Sequence, residues 1–207
     1  MKNKHQVIFI RGGEAFDNKK EFYAYLKKRT YDPYEKRRNW RDWLEWSLCE
    51  QFDLFAPVMP NKQWADYVAW KIWFEKLFPF IKKSKNIRLI LIGHSLGAIF
   101  LAKYLSENKF PKKIDQLHLV SPVFDNQGLV GEKVGNFKLT AAKLKNVGPQ
   151  IKHIFIYHST DDPLVPFEHS IKYLKHLKKA EFFEFKDRGH FLQPAFMEIL
   201  QVINKNL

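Results

Sequence analysis

A serine stands between two glycines in the run Gly93-His94-Ser95-Leu96-Gly97. A serine hydroxyl is a weak nucleophile until a base takes its proton, and the base needs a carboxylate to orient it. Both residue types follow downstream: Asp161 and Asp162 precede Pro163, and His190 follows Gly189. In that chain order, Ser95 could attack an acyl carbonyl, His190 could relay the proton and Asp162 could hold the imidazole in place. The flanking glycines have a mechanical reason. A serine at a sharp strand-to-helix turn takes a strained backbone conformation, and side chains two residues to either side would collide. At about 7% glycine and, by assumption, similar serine, the three fixed positions match by chance about 0.07 times in roughly 200 residues.

Such a serine needs a buried strand before it and a helix after it. The uncharged run Leu89-Ile90-Leu91-Ile92 reads as a strand covered on both faces, and helical spacing resumes over 96–106. Further strands are expected at 6–10, 52–58, 115–120, 151–157 and 181–185. Helices are expected at 18–29, 39–51, 62–78, 167–178 and 194–204. Asn61 is the expected N-cap of the third and Pro79 its stop. In the second, Trp40, Trp43, Leu44, Trp46 and Leu48 read as a core stripe. The glycine-punctuated stretch 123–148 holds a short helix near 140–145 and leaves no room for a large cap. Strands alternating with helices specify an α/β fold with a parallel sheet and right-handed crossovers, in one domain over 1–207.

In such a sheet the working loops lie at the carboxyl ends of the strands. Of the histidines, only His190 falls there after the last strand and beside a glycine. Asp162 is preferred as the acid because it opens Asp162-Pro163-Leu164-Val165-Pro166, whereas Asp161 suits a turn brace; Asp125 is a third candidate. The oxyanion needs two backbone donors. Leu96, next after the nucleophile, supplies one; the loop after the first strand supplies the other, through Gly13 with Gly12 or Glu14 as alternatives. Phe16, Phe124, Phe137, Phe167 and Phe191 are candidate walls of the acyl pocket.

The 207 residues, 45% hydrophobic and 16% aromatic, can bury a proper core. The single cysteine, Cys49, excludes an internal disulfide, fits a reducing compartment and reads as a buried structural thiol. The apolar run Val7 to Ile10 is too short for a signal-peptide core, so a cytoplasmic location is expected. The formal charge of +13 comes largely from lysines near expected helix ends, where they oppose the macrodipole. The densest basic aromatic stretch, 31–41, could meet an anionic surface, but no nucleic-acid fold signature accompanies it. No metal-ligand cluster is legible, and no metal or organic cofactor is expected.

The Gly93–Gly97 pattern, the segment Ser159-Thr160-Asp161-Asp162-Pro163-Leu164-Val165-Pro166-Phe167 and the tail Arg188-Gly189-His190-Phe191 together resemble the small cap-less α/β-hydrolases. The nearest likeness is to the YdeN-like, retinoblastoma-binding-protein-type serine hydrolases, over essentially the whole chain. The resemblance implies a six-stranded, mostly parallel sheet with helices on both faces and a Ser–Asp–His triad. It also implies esterase-like hydrolysis of small ester or activated acyl substrates. Some members of that family are described through protein binding, so a binding protein with weak or vestigial catalysis, using the basic aromatic surface, is the alternative. Two departures affect the acyl pocket: Arg11, where relatives carry histidine or proline, and a long, tryptophan-rich 31–51 segment.

Overall fold

The computed structural model describes residues 4–34 and 39–207. Six strands form one sheet: β1 (His5–Ile10), β2 (Phe52–Phe55), β3 (Leu89–His94), β4 (Ile114–Val120), β5 (Ile151–Ser159) and β6 (Ala180–Phe185). Their order is β2-β1-β3-β4-β5-β6, and every neighbouring pair is parallel. Helices α1 (Lys19–Lys28), α2 (Trp40–Cys49), α3 (Tyr67–Glu75), α4 (Leu96–Glu107), α5 (Glu168–His176) and α6 (Met197–Lys205) connect or follow them.

The period of two along the central strands divides the core. Ile8, Ile10, Leu89 and Leu91 pack on one face with Trp70 and Phe74 of α3 and with Ile99 and Phe100 of α4. Val7, Phe9, Ile90 and Ile92 pack on the other with Trp40, Leu44 and Leu48 of α2 and with Ile199 and Ile203 of α6. Each such side chain, once buried, contributes roughly 1.5–3 kcal/mol. The uncharged runs of β1 and β3 are therefore a consequence of being covered twice. Among the described residues, no helix is long and apolar enough to cross a membrane.

Several local expectations are corrected. Asn61 does not cap a helix starting at residue 62; it takes a left-handed φ of 46°, and its carbonyl accepts the Trp64 N–H. Residues 62–65 are stitched to the loop after β1 instead: the Glu14 N–H donates to Lys62 O at 2.7 Å, and the Ala65 N–H to Glu14 O at 2.9 Å. Those bonds are incompatible with a helical ladder, so α3 begins at Tyr67, with Asp66 accepting the Ala69 N–H. Strand β2 ends at Phe55, short of Val58, and α6 begins at Met197 instead of residue 194. In α2 the buried stripe is Trp40, Leu44 and Leu48, four residues apart. Trp46 lies on the opposite side of that helix and is 74% exposed. Cys49, expected buried, ends the helix in an exposed position, its thiol donating to Trp46 O.

Candidate active site

Ser95 links β3 to α4 with φ 54° and ψ −119°. The neighbouring glycines are required by contact. A Cβ on Gly93 would lie 2.7 Å from Ala98 Cα, and one on Gly97 would run into the carbonyl oxygens of Ile10 and Arg11. The start of α4 thus presses against the end of β1. The Ser95 N–H donates to Val120 O at 2.9 Å, tying the turn to the end of β4. Leu96 opens α4, so its N–H has no acceptor within the helix.

Asp162 follows β5 and is fully buried at its side chain. Its Oδ1 accepts the N–H groups of Leu164 and Val165 at 2.9 and 3.0 Å. Its Oδ2 accepts from Ser121 Oγ at 2.7 Å and His190 Nδ1 at 2.9 Å, with His158 Nε2 3.4 Å away. Burial opposes the charge on this carboxyl, but hydrogen bonds from His158 and His190, the charge His190 can carry and the Val165 amide outweigh it. Its pKa is held well below the usual carboxylate range. An ionised oxygen can only accept, so His190 carries its proton on Nδ1 and leaves Nε2 as the basic nitrogen.

The loop carrying His190 is aimed by backbone conformation. Gly189 and Phe191, on either side, both lie in the left-handed region, at φ 49° and 53°. Asp161 braces the same loop, accepting from Ser159 Oγ and, at 2.9 Å, from the Gly189 N–H. The His94 ring lies 4.9 Å from that of His190, and its Nε2–H donates to the His190 carbonyl at 3.3 Å. Burial, aided by the charge of His190, keeps His94 well below its ordinary pKa, so it is a neutral prop. Asp125 lies elsewhere, paired with Lys172 at 2.6 Å.

Ser95 and His190 line two cavities together. One, of about 370 Å³, is walled by Gly12, Gly13 and charged side chains that include Arg11, Arg29, Lys62 and Glu132. The other, of about 20 Å³, is lined mainly by apolar residues such as Leu96, Val123 and Val165. Gly12 is in direct contact with the serine: a Cβ there would lie 3.2 Å from Ser95 Cβ. The Glu14 N–H is taken by Lys62 O, which leaves Gly12 and Gly13 as donors at this loop.

The five expected wall phenylalanines line neither cavity. Phe16 packs on Phe22, Tyr25 and Trp64, and Phe137 is enclosed by Tyr67, Trp70 and Phe100. Phe124 meets Tyr173 and His176, Phe167 meets His158 and Phe182, and Phe191 meets Phe185 and Phe196. Rings of this size gain most where they are covered; Phe16, Phe137 and Phe191 are buried, and Phe124 and Phe167 are half-buried in these contacts. Charged residues stand in their place. Arg11 is held at 2.6 Å by both Asp42 and Glu45 of α2, and Arg29 at 2.7 Å by Glu14. Glu132 is partly buried, and desolvation, with the charge of Glu14 behind it and Arg29 opposing, raises its pKa to about 7.

Sequence reasoning missed Ser121, His158 and Glu132. For Ser121 a signal existed: a hydroxyl residue immediately after a buried parallel strand, at the functional edge of the sheet. The basic aromatic stretch 31–41 is described only in part, because residues 35–38 lie outside the described residues; Tyr31 and Tyr34 are each 88% exposed.

A family model described as serine hydrolase matches residues 35–203. The chain belongs to the serine hydrolase family. This serine hydrolase is 28% identical to serine hydrolase RBBP9 of Rattus norvegicus over 173 residues, which cover 81% of this chain and 86% of that protein. Its fold is similar to the ydeN gene product of Bacillus subtilis, with a TM-score of 0.73, 19% identity and 98% of each chain covered. A meta-cleavage product hydrolase of Pseudomonas fluorescens shares the α/β-hydrolase architecture at TM-score 0.62 and 14% identity, over 99% of this chain and 88% of that one. The chain is therefore a serine hydrolase with an α/β-hydrolase fold.

Proposed function

We propose that this enzyme hydrolyses small esters or activated acyl groups through Ser95, His190 and Asp162, carried by a single domain with no large cap. Ser95 Oγ attacks the carbonyl carbon while its proton passes to His190 Nε2. The tetrahedral oxyanion is received by the N–H groups of Leu96 and Gly13. Collapse expels the alcohol, which takes the proton from His190 and leaves an acyl-serine. Water then attacks, again giving a proton to His190, and the acid is released as Ser95 recovers its hydrogen. Two preorganised amides at the oxyanion are each worth about 3–4 kcal/mol of barrier.

The observation that carries this reading is the 2.9 Å bond from His190 Nδ1 to the buried Asp162, with Ser95 and His190 on the walls of the same cavities. The 20 Å³ apolar niche supports a short acyl chain, since a space of that size holds little more than one water or methyl group. The larger cavity, with its charged walls, supports a polar group on the other side of the scissile bond.

A fluorophosphonate probe tests the nucleophile. Labelling of wild type and none of Ser95→Ala is expected; no labelling of folded wild type would favour a binding protein. 4-Nitrophenyl acetate should be cleaved at least about 10-fold more efficiently than the octanoate, since seven methylene-sized steps cannot enter the niche. Equal rates would show that the acyl chain lies in the larger cavity.

A further inference from the structure

Two consecutive residues at the end of β4 hold opposite ends of the relay. The Val120 carbonyl accepts the Ser95 N–H at 2.9 Å, and the Ser121 hydroxyl donates to Asp162 Oδ2 at 2.7 Å. The dipeptide is itself fixed to β5, because the Ser121 N–H donates to Tyr157 O at 2.8 Å. Ser121 is fully buried and has φ 41°, a left-handed conformation that glycine adopts without strain. A serine in that conformation supplies what glycine lacks, a hydroxyl. That hydroxyl reaches the same carboxylate oxygen that receives His190 Nδ1–H.

We propose that Ser121 is a positioning residue of the relay: it fixes the rotation of the Asp162 carboxylate and, with Val120, sets the span between nucleophile and acid that His190 must bridge. The inference rests on the Ser95–His190–Asp162 reading. With Oδ1 already held by Leu164 and Val165, the Ser121 bond leaves the carboxylate no free rotation. It also draws charge from Oδ2, which tempers the pull of Asp162 on the proton of His190. The other ionisable groups near Asp162 and His190 are His158 and Asp161 beside the acid, His94 against the base, and, on the walls of the two cavities, Glu14 and Glu132 with Arg11, Arg29, Arg41, Lys62 and Lys133.

The test compares Ser121→Ala, which deletes the hydroxyl, with Ser121→Gly, which also relieves the backbone. Both are read by kcat and KM on 4-nitrophenyl acetate and by the pH dependence of fluorophosphonate labelling, with a thermal melt for folding. A positioning role predicts that both lose about 10- to 100-fold in kcat with KM little changed, the range expected for one hydrogen bond to a charged group. It also predicts that the acid limb of the labelling profile moves to higher pH, because an Asp162 without its second donor stabilises the protonated His190 more. Should Ser121→Ala fail to fold, Ser121→Gly carries the test, since its backbone is at ease there. Folded Ser121→Gly with wild-type kcat and acid limb would overturn the inference while Ser95→Ala remained inactive. Full activity and labelling in Ser95→Ala would overturn the triad reading, and this inference with it.

Discussion

Gly12 stands against Ser95 so closely that a methyl group added to it would lie 3.2 Å from the serine's Cβ and 3.3 Å from the carbonyl oxygen of His94. The loop after β1 and the turn after β3 are thereby packed backbone to side chain. Gly12→Ala should leave the fold intact, since nothing about its φ demands glycine. It should displace Ser95 by a few tenths of an ångström and lower kcat/KM by about 10- to 100-fold. Steady-state kinetics beside a thermal melt checks both halves; a large drop in Tm with preserved activity would contradict it.

The glycine on the other side of Ser95 has a different role. A side chain at Gly97 would meet the carbonyls of Ile10 and Arg11, which are backbone and cannot swing away. Gly97→Ala is expected to destabilise the fold by about 3 kcal/mol or more. Gly148→Ala, where no atom lies within 4 Å, serves as the control and should change stability little. Urea unfolding midpoints of the two variants give the comparison directly.

Asp162→Asn keeps the shape but removes the charge that holds His190 in its working tautomer. Turnover should fall by about 10⁴-fold, the loss known for this kind of change in serine proteases. Stability should respond as well. The wild-type carboxyl titrates below its unfolded value, so its contribution is complete above about pH 4 and disappears as pH falls through the folded pKa. Wild type should therefore lose stability in acid more steeply than the asparagine variant. Parallel slopes in urea titrations from pH 6 to pH 3 would refute this.

Glu132 has the opposite sign. Its folded pKa of about 7 lies above the unfolded value of about 4.5. The folded chain therefore binds its proton more tightly, and the associated stability is complete below about pH 4.5 and lost as pH rises through 7. The loss amounts to about 3 kcal/mol at most. Glu132→Gln should be more stable than wild type at pH 8 and nearly equal to it at pH 4. Stability measured at those two pH values decides the matter; equal differences at both would remove Glu132 as the titrating group.

Much of the architecture was legible because local chemistry left little choice. Val7 to Ile10 and Leu89 to Ile92 carry no charge, which only strands covered on both faces require. Gly93, Ser95 and Gly97 have a spacing that one turn geometry explains. The alternation of strands and helices then brings the loops bearing Asp162 and His190 to one edge of the sheet. Boundaries were less legible where partners distant in sequence intervened, as when Glu14 bonded to Lys62 and Ala65, held 62–65 in a turn and displaced the start of α3.

Residue order alone pointed to the class of sheet, the turn that presents Ser95, and a short set of candidates for acid and base. Tertiary structure decided how they are held and what surrounds them. It set Ser121 against Asp162, His94 beneath His190, and Arg29 and Glu132 where phenylalanines were expected. The reason is physical. A strand's period or a tight turn depends on neighbours along the chain. The wall of a cavity depends on which side chains the core has already taken, and that is known only once the layers have packed.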